Sequence, residues 1–72
     1  MNKHLDCRSL QCPMPIVKLS IATRDMQPGD EIVVEATDPA FELDVQAWAE
    51  MTGHSLEELE TGEVLRARIK VR

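Results

Sequence analysis

Seventy-two residues, 43% hydrophobic and 29% charged, describe one small globule with a thin core rather than a disordered segment. No apolar run approaches the roughly 18 residues a membrane span needs, and the opening Met1-Asn2-Lys3-His4-Leu5-Asp6 lacks the form of a signal peptide. The net charge of -5 is unevenly spread: positions 25–65 hold twelve acidic residues and no Lys or Arg, which weighs against direct nucleic-acid binding.

Taken in order, His4 to Arg8 alternates, with Leu5 and Cys7 on one face, as a short half-buried strand does. Ser9-Leu10-Gln11 then turns the chain into Cys12-Pro13-Met14-Pro15 and an apolar run from Ile16 to Met26. This is the pattern of a helix start, with Cys12 at the N-cap and Pro13 at the first helical position, where a missing N–H costs nothing. Ile16, Leu19, Ala22 and Met26 form the stripe expected to face the core. Met14, Val17 and Ile21 form a second stripe on the opposite side, close to Cys12. Gln27-Pro28-Gly29-Asp30 stops the helix in a turn.

Glu31 to Thr37, rich in β-branched residues, reads as the second strand. Asp38-Pro39 repeats the logic of a capping residue followed by proline. Phe41, Val45, Trp48 and Ala49 then line one helix face, with Glu42, Asp44, Gln46 and Glu50 outward and Gly53 as a left-handed end. Ser55 with Glu58 has the form of a capping box, so His54 to Glu60 carries a helical reading too. Yet Gly62 follows at once, and positions 64–72 alternate cleanly, with Leu65, Ala67, Ile69 and Val71 on one side. A terminal strand needs a neighbour, so the segment is read as a strand paired through a Thr61-Gly62-Glu63 hairpin, its glutamates facing Arg66, Arg68, Lys70 and Arg72. The order is βαβαββ over a single domain, 1–72. It predicts an α/β two-layer sandwich, a four-stranded mixed sheet with both helices on one face.

The chemistry centres on Cys12. A cysteine at a helix start meets the positive end of the dipole and unpaired N–H groups, which favour thiolate, the nucleophilic form. The alternative is a structural cap. Cys7, the second thiol, reads as a small buried hydrophobe or as a resolving partner for Cys12. Cys7, Cys12, His4 and His54 show no C-x-x-C pair or clustered histidines, so no metal or cofactor is expected. Met14, Val17 and Ile21 are either packing or a docking patch beside the sulfur. Arg8, Lys18 and Arg24 are candidates to attract acidic partners and hold an anionic sulfur, or plain surface charges. The run from Arg66 to Arg72 reads as the solvated face of an edge or near-edge strand.

Leu5-Asp6, Cys12-Pro13-Met14-Pro15, Met26-Gln27-Pro28-Gly29-Asp30, Asp38-Pro39 and Trp48 with Thr52-Gly53-His54 together resemble the TusA/SirA-like sulfur-carrier family. The likeness spans nearly the whole chain, and its Cys-Pro-x-Pro element is the most specific part. It implies a cytosolic carrier whose motif cysteine, here Cys12, takes sulfane sulfur as a persulfide, with Pro13, Met14 and Pro15 positioning it. It implies a donor protein of cysteine desulfurase or rhodanese type and an acceptor protein, in tRNA thiolation, sulfur oxidation, or selenium and molybdenum-cofactor routes. Ser9 stands where the pattern leads one to expect glycine, and Cys7 is an extra thiol. The rival readings are a non-catalytic interaction module and a Cys7–Cys12 redox switch.

Overall fold

In chain order the elements are β1 (Asn2–Cys7), α1 (Met14–Thr23), β2 (Glu31–Ala36), α2 (Phe41–Thr52), β3 (Ser55–Glu60) and β4 (Leu65–Lys70). They come from a computed structural model that describes residues 2–72; Met1 lies outside the described residues. β1 pairs parallel with β2, placing Cys7 opposite Ala36. β4 is antiparallel to β2, and β3 is antiparallel to β4, so the four strands stand in the order β1-β2-β4-β3. β2 and β3 therefore run the same way, with β4 between them. Both β1-α1-β2 and β2-α2-β3 are parallel crossovers that advance in one direction across the sheet. Right-handed connections of that kind lay both helices on the same face, and the expected two-layer sandwich results.

The core lies between these layers. Ile32, Val34 and Ala36 of β2 and Leu65, Ala67 and Ile69 of β4 meet Leu19 of α1 and Phe41, Val45, Trp48 and Ala49 of α2, all buried. The period-two and α2 patterns of the sequence are thus realised residue by residue. Gly53 ends α2 at φ 81°, and its N–H donates to the Ala49 carbonyl at 2.9 Å, a left-handed finish that glycine adopts without a Cβ clash.

Several expectations are corrected. α1 is shorter than the apolar run, ending at Thr23, with Pro13 rather than Cys12 at the N-cap and Pro15 in its first turn. A turn closed by Met14 N–H on the Gln11 carbonyl (2.8 Å) precedes the first helical bond, from Val17 N–H to the Pro13 carbonyl at 3.0 Å. The buried face centres on Pro15, Leu19 and Thr23, and Ile16 and Ala22 are only partly covered. Thr23 is tolerated inside because its hydroxyl donates to the Leu19 carbonyl at 3.0 Å. α2 likewise begins after the Asp38-Pro39 turn, with Ala40 at the N-cap. Of the two positions expected for β4, edge or near-edge, it takes the second, beside the edge strand β3, and Arg68 reaches Glu31 on β2 at 3.4 Å. His54 precedes β3 and packs on Trp48, with ring centroids 5.3 Å apart.

Candidate functional site: the entry to the first helix

The loop from β1 to α1 is built by hydrogen bonds to the next loop along the sheet. Ser9 takes φ 73°, the left-handed region that suits glycine, so the serine keeps the backbone shape a glycine would give. Its N–H donates to Thr37 Oγ1 at 2.9 Å. Three residues on, the Cys12 N–H donates to Asp38 Oδ2 at 2.6 Å, while Asp38 Oδ1 accepts from the Ala40 N–H at 3.0 Å. These two amide contacts hold the Asp38 carboxyl below the usual carboxylate range, the Cys12 contact most strongly. Asp38 therefore staples the two loops at the residue that carries the sulfur. The Cys12–Pro13 peptide is cis.

Cys12 is exposed and free. Its thiol donates to Asp44 Oδ2 on α2 at 2.8 Å. That hydrogen bond first, then desolvation and the charges of Asp44 and Asp38, push the thiol above its ordinary pKa. The expectation of a thiolate favoured by the helix start is overturned. Cys12 sits outside the helix, its own amide is spent on Asp38, and the group facing its sulfur is an anion. Asp44, read from the wheel as outward, is turned onto the thiol.

Two depressions meet at Cys12. One, about 510 Å³, is formed by the facing loops, including Leu10, Gln11, Thr37 and Asp38. The other, about 310 Å³, is the cleft between the helices, where Pro13, Ile16, Ala47, Trp48 and Met51 flank the sulfur and Asp44. Met51 and the Asp44 contact escaped the sequence reading, because both lie on a helix far along the chain and carry no local signal.

The other predicted residues divide. Met14, Val17 and Ile21 are 44%, 40% and 54% exposed, a continuous apolar stripe on α1 outside the core. The cations are not gathered at the sulfur. Arg8 is forked onto Asp6, with Nε and Nη2 each donating at 2.9 Å. Arg24 caps the far end of α1, roughly 15 Å of helix away. The charge of Lys18 acts on Cys7 instead. Cys7 is fully buried and free, and burial pushes its thiol up. His4 bonds Glu35 at 2.8 Å, and among the described residues no group of three or more His, Cys, Asp and Glu is placed to hold a metal ion.

A mixed sheet under two helices, with one free thiol exposed where the first helix begins, defines a class of small α/β domains that offer a single sulfur at the surface. The model of the family described as Sulfurtransferase TusA matches residues 3–71, and the chain belongs to that family. YrkF of Bacillus subtilis is 43% identical over 63 residues, 86% of this chain and 34% of that protein. YrkI of the same organism is 38% identical over 66 residues, covering 90% of this chain and 88% of the relative. The sulfur carrier protein TusA of Pseudomonas aeruginosa is 39% identical over 54 residues, 75% of this chain and 68% of that one. The chain thus spans about a third of YrkF but most of YrkI. Among the described residues, no helix is long and apolar enough to cross a membrane.

Proposed function

We propose that this chain is a sulfur carrier, a single functional unit over 1–72, in which Cys12 accepts sulfane sulfur as a persulfide and relays it to an acceptor protein. The observation that carries this reading is the exposure of a free Cys12 at the mouth of both depressions. Family membership and the relative named as a sulfur carrier support it. The donor is of cysteine desulfurase or rhodanese type, the setting cytosolic, and the acceptor a protein of tRNA thiolation or of sulfur oxidation and trafficking. Pro13 and Pro15 restrict the backbone around the sulfur, and the exposed Met14, Val17 and Ile21 stripe is where donor and acceptor dock. A Cys7–Cys12 switch is disfavoured by the complete burial of Cys7.

Intact-protein mass spectrometry after incubation with a persulfidated donor tests the assignment. Wild-type protein and Cys7→Ala gain about 32 Da, one sulfur atom, and Cys12→Ser gains nothing. An adduct that survives Cys12→Ser and disappears with Cys7→Ser rejects it. Ile21→Glu leaves stability within about 0.5 kcal/mol, because the site is solvent-exposed, while slowing transfer from the protein donor.

A further inference from the structure

The carboxylate that faces Cys12 is an odd neighbour for a nucleophile. A site built only to ionise a thiol surrounds it with amides or cations. Here α2 supplies Asp44 against the sulfur at 2.8 Å, and the loop after β2 supplies Asp38, already stapled to the Cys12 amide at 2.6 Å. Among the cations of the adjoining elements, Arg8 is paired with Asp6, Arg24 stands at the far end of α1, and the charge of Lys18 acts on Cys7. We propose that Asp44 governs when Cys12 becomes a nucleophile: its carboxylate holds the thiol as an S–H donor in the resting carrier, and a cationic group of the docking partner, by pairing with that carboxylate, releases the sulfur for transfer. The proposal rests on the reading of Cys12 as the sulfur-bearing residue.

The geometry suits such a device. Asp44 is half-buried at the rim of the inter-helix cleft, so a partner that enters the cleft to reach Cys12 meets the carboxylate as well. When Asp44 is paired with a cation, its negative charge no longer opposes ionisation of Cys12, and the thiol falls back toward its ordinary acidity. Transfer then needs no oxidant. The Cys12 sulfur attacks the sulfane sulfur of the donor persulfide, and a new S–S bond forms. The donor's S–S bond breaks, its electron pair departs on the donor cysteine, and the proton lost from Cys12 ends on that departing thiolate. One persulfide and one thiol exchange places. Before docking, the protonated thiol is a poor target for stray electrophiles.

Asp44 is thus a positioning residue, and its test uses the free protein with no donor present. Alkylation of Cys12 by iodoacetamide is followed against pH by peptide mass mapping, which separates it from Cys7. Asp44→Asn moves the midpoint of the pH–rate profile down, and Asp44→Glu returns it toward wild type. A cationic and an anionic methanethiosulfonate then probe the partner's charge. The wild-type protein favours the cationic reagent, and Asp44→Asn cuts that preference roughly 30-fold, because one charge at near contact in water changes each reagent's rate about fivefold in opposite directions. In the wild-type protein alone, high salt must reduce the same preference. A midpoint that stays or rises in Asp44→Asn, or a reagent preference blind to salt, overturns the proposal. Failure of Cys12 to take up persulfide sinks the carrier reading instead and leaves these readouts untouched.

Discussion

The seam between the two helices sets where Asp44 stands relative to Cys12, and one hydrogen bond spans that seam. Trp48 is 7% exposed, and its indole N–H donates to Ser20 Oγ on α1 at 2.9 Å. Trp48 lies one helical turn beyond Asp44, so the same bond that ties α2 to α1 also holds the carboxylate over the sulfur. Ser20→Ala removes the acceptor and keeps the ring. A neutral hydrogen bond of this kind contributes about 1 kcal/mol net. A chain of this size has total stability on the order of 4–11 kcal/mol, so the loss is visible as a fall in Tm of roughly 4–8 °C. Trp48→Phe loses the same bond and part of the ring's burial, about 2 kcal/mol together. In the double variant the hydrogen bond is lost only once, which leaves a coupling energy of about 1 kcal/mol. Urea unfolding monitored by circular dichroism measures all four proteins, including those that lack the single tryptophan. A coupling energy within about 0.3 kcal/mol of zero means the contact does not bind the helices together, and the account of how Asp44 is positioned falls with it.

Two further predictions concern the first strand. Cys7→Ser places a hydroxyl among apolar neighbours at a fully buried position and lowers stability by about 1–3 kcal/mol, while sulfur loading on Cys12 continues; thermal melts and mass spectrometry read the two effects separately. Asp6 titrates at about 2, below its ordinary 3.8, chiefly because the Arg8 side chain hydrogen-bonds its carboxylate. Its folded value is depressed, so its contribution to stability is complete above the ordinary value and is lost as pH falls through the interval down to about 2. Arg8→Ala returns the Asp6 midpoint, followed by NMR, toward 3.8; a midpoint that stays near 2 contradicts the pairing.

Much of this protein was legible from local pattern. Alternation in β1 and β4, the α2 stripe of Phe41, Val45, Trp48 and Ala49, and the glycine end at Gly53 all survive, because burial on a strand or helix follows a period of a few residues. The exposed Met14, Val17 and Ile21 stripe was legible for the same reason. Where the pattern misled, a turn intervened. The loops at Gln11–Met14 and Asp38–Phe41 delay both helices by one or two residues, and on α1 the buried face centres on Pro15, Leu19 and Thr23.

The electrostatic character of the sulfur was decided elsewhere. Sequence pattern alone places Cys12 at the surface near a helix start, and helix-dipole reasoning then predicts an ionised thiol. Only the packed structure brings Asp38, 26 residues away, onto the Cys12 amide and Asp44, 32 residues away, onto its thiol. Likewise, only the sheet shows β4 slotted between β2 and β3. Periodicity records which side of an element meets the core, since that is set by residues a turn or a pleat apart. Which elements lie side by side, and so which charge faces which sulfur, depends on contacts between segments that share no local signal.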